Sequence, residues 1–431
     1  MIHSSPSSRY GSSEAVLDIC VRFLKDREKK GTTIDDFVDF EFSSEDSPPV
    51  RRTVSSILFT YFRNKALIDA LIDSSARGGS VKPGLKAVLQ ITLCQALFQD
   101  GIAPESAANV AVDYVKKHLG KPQAGFVNAL MRKLIFGDIG PFKEKLPVYT
   151  KLNLPEVLYN RWFKTFEDKE LLRLCNLMRR SSAATFRALR PLSDEIIEKT
   201  SSIKLKLPEW AGNLEFYECG NFQALLESEL LEKGLIYVQD PSTALAPMMP
   251  ELKEADKVLD LCAAPGGKSI IIAGRQKNLE MTAMDSSPRR QQLTQENFKN
   301  TKLNASVIVG DATKAPFLSD SFDLVLADVP CSNTGVFRRR PDVPWNFSEK
   351  KLDALTRLQA RILESSLRLC RPGGQIVYST CSLEPEENSQ MTSKFAKSFE
   401  GRVMLEKEVQ LMPSATHDGS YAAILRKSSS Q

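Results

Sequence analysis

The sequence predicts a Rossmann-like α/β half, preceded by an all-helical region and a small α+β connecting region. Three observations carry this reading. Residues 8 to about 140 repeat apolar positions at helical spacing with little strand signal. From Gly234 onward, short apolar runs, most of them rich in β-branched residues, alternate with helix-period segments. Strand-helix-strand alternation of that kind builds a parallel, doubly wound sheet. Between the two halves the pattern is mixed. The expected domains are therefore 1–145, 146–234 and 235–431.

In the first region, "SSEAVLDICVRFL" places Ala15, Val16, Ile19, Cys20 and Phe23 on one helical face, and "PPVRRTVSSILFTYFRNKALIDALI" does the same with Val54, Ile57, Leu58 and Tyr61. Pro83 and Pro104 open "PGLKAVLQITLCQALFQ" and "PESAANVAVDYVKKHL", where proline suits a first helical position. The middle region offers a helical "PEVLYNRWFKTFEDKELLRLCNLMRR", an extended "AATFRAL", a helix from Leu192 and short apolar runs near Leu205 and Leu214. In the last region the runs are 257–261, 279–285, 305–311, 322–328 and 374–380, with "SYAAILRK" expected to close the sheet as an edge strand.

Composition narrows the function. The 431 residues are 42% hydrophobic and 26% charged, ordinary for a folded globular protein. No run approaches the roughly 18–20 apolar residues of a membrane helix, and the start lacks a basic-then-apolar leader. The expectation is a cytoplasmic monomer. Eight scattered cysteines without a CxxC pair, and three histidines, lack metal-site spacing, so no metal is expected. The net charge of +5 gathers in small basic clusters, Arg338-Arg339-Arg340 among them, which read as solvated surface or as contacts to nucleic-acid phosphates.

In a doubly wound sheet the ligand lies beyond the carboxyl ends of the strands. After the first run comes "DLCAAPGGKS", whose Gly266 and Gly267 permit a tight turn and close approach at a helix start. The following runs end in Asp285, Asp311 and Asp328. A carboxylate at such a place accepts ribose hydroxyls, although each aspartate equally suits a cap for the next helix. The G-x-G-x-x-G pattern that a pyrophosphate requires is missing. S-adenosylmethionine, a nucleoside without phosphate, suits this loop better. Its expected contacts are Cys262, Ala263, Ala264, Pro265, Gly266, Gly267 and Lys268, together with Asp285, Arg290, Asp311 and Asp328.

Two thiols stand at similar places, Cys331 in "DVPCSNTG" and Cys381 in "YSTCS", each just past an apolar run. With "DPSTALAP", "DLCAAPGGKS", "MDSSPRRQQL", "GDATKAPF", "LRLCRPGGQIVYSTCSLEPEEN" and "HDGSYAAIL", these stretches resemble the Nop/Sun family of RNA cytosine-5 methyltransferases. Upstream, "RRTVSSILFTYFRNKALID", "APESAANVAVDYVKK" and "GFVNALMRKL" are similar to the NusB-like helical domain of its RsmB branch, whose members methylate small-subunit ribosomal RNA. The resemblance implies that Cys381 is the nucleophile and that Cys331 assists product release. The chemistry agrees, because carbon 5 of cytosine becomes nucleophilic only after a thiolate adds to carbon 6, and the carbon-5 proton must later leave. Asp328 is placed to bond the N3 and N4 side of the base, and Lys268 to lower a thiol pKa.

Other readings stay open. Cys20, Cys94, Cys175, Cys219 and Cys370 read as buried small hydrophobes. The same chemistry on transfer RNA or another ribosomal site is an alternative, as is a non-catalytic RNA-binding assembly factor. An amino-group methyltransferase would end its fourth strand in Asn/Asp-Pro-Pro-Tyr instead of Asp-Val-Pro-Cys. Two positions depart from the family pattern: Asn333, where a small residue is common, and "FRALR" at 186–190, where "LRVN" is common.

Overall fold

The structure is a computed structural model that describes residues 12–42, 48–75 and 81–429. It divides into two compact units, residues 1–180 with 337–347, and residues 181–336 with 348–431.

The first unit is helical. Its larger helices are Ser13–Lys30, Pro48–Ser75, Pro83–Phe98, Pro104–His118 and Lys121–Phe136. Local chemistry sets their ends. The Ser12 hydroxyl accepts from the Ala15 amide at 3.2 Å, and Gly31 closes the first helix at φ 71°. Pro83 and Pro104 do open their helices. Helix Pro83–Phe98 is buried almost all round, with Val88, Leu89, Ile91 and Leu93 fully enclosed, so it forms the axis on which the amphipathic helices pack. Helices Glu156–Thr165 and Asp168–Arg179 also belong to this unit, so the boundary expected near 145 falls within it.

The unit contains one piece from far along the chain, Phe337–Phe347. Phe337 is fully buried with its ring 5.8 Å from that of Trp162, and Trp345 packs on the helical core. Asp342 accepts from Arg27 Nη1 at 2.9 Å through Oδ2, and from Nη2 at 2.7 Å through its carbonyl. Both side chains are nearly sealed from solvent, at 9% and 3% exposure. Arg340 pairs with Asp35 at 2.9 Å, and Arg338 is buried. Of the basic run, Arg338 is thus enclosed in this unit, while Arg340 stays exposed at its surface.

The second unit holds two sheets. Strands β1 (Ala184–Ala188), β2 (Ser202–Lys204), β3 (Glu215–Cys219) and β4 (Ile236–Val238) form an antiparallel sheet in the order β2-β3-β1-β4. Strands β5 (Lys257–Asp260), β6 (Glu280–Asp285), β7 (Ala305–Val309), β8 (Phe322–Asp328), β9 (Cys370–Thr380), β10 (Val403–Leu411) and β11 (Ser420–Lys427) form the larger one. Its order is β10-β11-β9-β8-β5-β6-β7. The five strands from β9 to β7 are parallel, and the strand order reverses at β5 and β8, which makes the crevice beyond their carboxyl ends the ligand-binding position of this fold.

The last run is not the edge. Strand β11 lies between β9 and β10 and runs antiparallel to both. Tyr421–Leu425 are buried on both faces, as an internal strand requires, and β10 supplies the edge. Glu406, Lys407 and Glu408 in its middle give that edge charge and hide it from any search for apolar runs. Among the described residues no helix is long and apolar enough to cross a membrane.

Candidate active site

Parallel pairing explains the two thiols. Strands β8 and β9 are neighbours in a register that sets Asp328 opposite Ser379, so residues shortly after each strand emerge at the same place. The Cys331 and Cys381 sulfurs lie 3.3 Å apart. The Cys381 amide points at Cys331 Sγ at 3.4 Å, and the Cys381 carbonyl accepts from the Gly335 amide at 2.9 Å. Cys331 is buried and Cys381 is half-buried. The hydrogen bond to Cys381, followed by burial, pushes the Cys331 thiol well above the ordinary cysteine value.

Asp328 stands at the same strand ends. Its Oδ1 accepts from Ser379 Oγ at 2.7 Å, and Oδ2 is ion-paired with Lys268 Nζ. Burial works against the Lys268 ammonium, but the Asp328 carboxylate outweighs it and holds the ammonium above its usual value. Lys268 is thus paired with Asp328, and the neighbouring Cys381 is a further group that favours its ammonium.

A polar scaffold fixes both thiol loops. Glu387, fully buried, accepts from the Ser332 amide at 2.9 Å and from Gln359 Nε2 at 2.9 Å, while Gln359 also donates to the Pro330 carbonyl at 2.9 Å. Asn388 accepts from Thr380 Oγ1 at 2.6 Å and donates to the Ser382 carbonyl at 2.9 Å. Ser332 and Ser382 join the two loops at 3.0 Å. These buried hydrogen bonds tie the two loops together, with Gln359 Oε1 left without a partner among the described residues. Sequence reasoning missed Glu387 and Asn388. Their signal was the cluster "EPEEN" directly after the second thiol, where so many polar groups beside a strand end need partners.

The cofactor loop runs from β5 into helix Gly267–Arg275. The two glycines are required by neighbouring protein atoms. Gly266 has φ 99°, and a Cβ there would lie 2.7 Å from the Phe298 ring, while one on Gly267 would lie 2.8 Å from the Tyr237 ring. The Ala263 amide bonds the Met284 carbonyl at 2.9 Å. Asp285 is buried and accepts from the Ala264 amide at 3.2 Å and the Ser287 amide at 3.0 Å, one on each oxygen. Arg290 donates to the Ala264 carbonyl and lies 3.8 Å from Asp285. The carbonyl of Pro265 accepts from Tyr237 and Asn297. Burial pushes the Cys262 thiol far up, which makes it an inert part of the wall. Asp311 does what the capping alternative requires. Its Oδ1 accepts the Thr313 amide at 2.9 Å and hydroxyl at 2.8 Å, which hold the carboxyl below its usual range.

Asp260 lies beneath this loop, with Ser269 Oγ on Oδ2 at 2.7 Å and no partner for Oδ1 among the described residues. Burial pushes its carboxyl up to about 7. The sign follows from linkage. Between an unfolded value of about 4 and the folded value near 7 the native state binds the proton more tightly, so stability is full at low pH and falls as pH rises through that window. The slope is at most about 1.4 kcal/mol per pH unit. Asp260→Asn is expected to keep the Ser269 bond and flatten the dependence, as thermal unfolding from pH 4 to 8 would show. An unchanged slope would place the titrating group elsewhere.

The reversed strand order, the loop after β5 and the strand-end carboxylates define the class: a methyltransferase fold that takes S-adenosylmethionine. The donor set fits that cofactor, since carboxylates accept ribose hydroxyls and favour a sulfonium cation, whereas they would repel a pyrophosphate. Residues 247–426 match the family described as 16S rRNA methyltransferase RsmB/F, and residues 12–136 match the NusB family, as the motifs implied. A Vibrio vulnificus (strain YJ016) protein named ribosomal RNA small subunit methyltransferase B is 36% identical over 204 residues, 46% of this chain and 48% of that one. The chain thus spans about half the length of that relative. A Bacillus subtilis (strain 168) protein named probable ribosomal RNA small subunit methyltransferase B is 27% identical over 384 residues, 85% of each chain. The crystal structure of PH0851 shares the fold, with a TM-score of 0.76 over 96% of this chain and 99% of that one at 24% identity.

Proposed function

We propose that the protein methylates carbon 5 of a cytidine in RNA, in small-subunit ribosomal RNA, as a cytoplasmic monomer. The observation that carries this reading is the pair of sulfurs 3.3 Å apart beside the Asp328 carboxylate. Two thiols facing one base are what the chemistry needs, and the names of the relatives support the ribosomal substrate. The helical unit aids RNA binding, which its match to the NusB family supports.

In this mechanism Cys381 Sγ gives its proton to solvent and bonds to carbon 6 of the cytosine, so that the C5–C6 π electrons become available at carbon 5. Asp328 accepts from the N4 amino group and so orients the base, with Lys268 and Ser379 holding the carboxylate in place. S-adenosylmethionine supplies the methyl group. Cys331, after giving its own proton to solvent, takes the carbon-5 proton as a thiolate, the C5–H electrons restore the ring double bond, and the C6–S bond breaks to return the Cys381 thiolate. Bonding of Cys381 to carbon removes the first of the causes that hold Cys331 as a thiol, while burial and Glu387 continue to oppose its thiolate.

The cofactor pocket comprises loop 262–268 with Asp285, Arg290, Asp311 and Asp328. Each Asp285 oxygen has one backbone donor, and an ionised carboxylate has about four acceptor sites, so room remains for ribose hydroxyls. Asp285→Ala is expected to weaken S-adenosylmethionine binding by about 1–3 kcal/mol in calorimetry. Unchanged affinity would move the ribose elsewhere. Bisulfite sequencing of ribosomal and transfer RNA from cells with and without the gene tests the whole reading. Loss of a 5-methylcytosine from small-subunit ribosomal RNA is expected. Loss from transfer RNA alone would reassign the substrate, and no loss from either would leave an assembly role.

A further inference from the structure

Beside the two thiols stands a carboxamide. Asn333 Oδ1 lies 2.8 Å from Cys381 Sγ and 3.8 Å from Cys331 Sγ. Its Nδ2 donates to the Cys331 carbonyl at 3.0 Å, which fixes the amide so that the oxygen is the end turned to the sulfurs. Asn333 sits at φ 60°, a left-handed conformation that asparagine, aspartate and glycine adopt most easily, and its carbonyl closes the turn by accepting from the Val336 amide at 3.0 Å. The backbone thus presents this side chain, and a glycine would make the same turn without it.

An amide oxygen accepts a hydrogen bond and donates none. Facing Cys381, it stabilises the S–H form and repels the thiolate lone pairs. The charged and titratable groups around that sulfur are Cys331, Lys268 and Asp328, the latter two compensating one another. Asn333 is the neutral acceptor among them, at hydrogen-bond distance from the Cys381 sulfur.

We propose that Asn333 is a positioning residue that holds the Cys381 sulfur as a thiol beside Cys331 and sets how readily it gives up its proton before a base arrives. This rests on the reading of Cys381 as the nucleophile. When a pyrimidine displaces the carboxamide, the acceptor is removed and the sulfur is released to react, so the nucleophile is held in reserve while the site holds no substrate.

The test needs no methylation. Full-length protein, as wild type, Asn333→Gly and Asn333→Asp, is treated with iodoacetamide across a pH series, and alkylation of Cys381 is followed by peptide mass spectrometry. Sulfur gains the carboxamidomethyl group, iodide leaves and the thiol proton goes to solvent. The glycine variant is expected to react about five-fold faster than wild type at neutral pH, the rate equivalent of one neutral hydrogen bond of about 1 kcal/mol. Its pH–rate curve should move to lower pH. The aspartate variant, isosteric but charged, should react more slowly, with the curve moved to higher pH. A merely structural role would shift both variants in the same direction, and that result, or a glycine variant no faster than wild type, overturns the proposal. If the ordering holds while wild-type protein leaves cytidines unmethylated, the proposed function fails and the role of Asn333 stands.

Discussion

Cys381→Ala is expected to abolish RNA methylation and to form no covalent complex, whereas Cys331→Ala should still attack the base and transfer the methyl group but stall before release. The two thiols are alike in position, each just past one of two adjacent parallel strands, so a purely structural role would give two similar phenotypes. Their environments differ in the direction that separates the roles. Cys381 is half-buried, while Cys331 is buried and held as a thiol by its neighbour. Without Cys331 the carbon-5 proton has no acceptor beside it, and the C6–S bond cannot break. The Cys331→Ala protein should accumulate a protein–RNA complex that survives denaturing gel electrophoresis and requires S-adenosylmethionine to form. Complex from Cys381→Ala and none from Cys331→Ala would exchange the roles. Retained activity in both variants would remove the covalent mechanism.

Asp342→Ala should destabilise the helical unit by about 3–5 kcal/mol. Arg27 is 9% exposed and its guanidinium lies 4.5 Å from the centre of the Phe62 ring. Burial already pulls that guanidinium below its usual value, against the pull of Asp342. Removing the carboxylate leaves a buried cation with the Thr32 and residue-342 carbonyls as its remaining partners. Replacing both residues, with Arg27→Met added, should recover most of the loss, because the cost is that of an unpaired charge and not of the missing pair. Denaturant unfolding of the two variants would show it. A loss under 1 kcal/mol in the single variant would mean that water reaches the guanidinium.

Much of this site is legible in the sequence because strand ends are legible. An apolar run followed by Asp or Cys locates a residue at the rim of the sheet, and parallel pairing then gathers those residues, as it does Asp328, Cys331 and Cys381. What local pattern misses is anything that depends on a distant partner. Arg338-Arg339-Arg340 looks like any solvated charge run, since nothing nearby announces that Asp35 and the helical core receive it. Strand β10 is hidden by the charges that protect it as an edge. Gly266 and Gly267 are recognisable as necessary, but the reason they are needed, the Phe298 and Tyr237 rings, lies in tertiary packing. Glu387 and Asn333 acquire their roles only when two loops about fifty residues apart are brought face to face.

The inserted segment Phe337–Phe347 also sets a timetable. On the ribosome, domains close in the order in which they are made, at about 5–20 residues per second. The helical unit has its helices once Arg179 is synthesised, yet residues 181–336 must follow before its last piece exists. That interval is roughly 8–30 s. Throughout it, Arg27 has no Asp342 and Trp162 has no Phe337. The first unit to begin folding is therefore held incomplete until the chain has passed Phe347, and nascent protein halted before Phe337 would carry a helical unit that lacks Phe337 against Trp162 and a partner for Arg27.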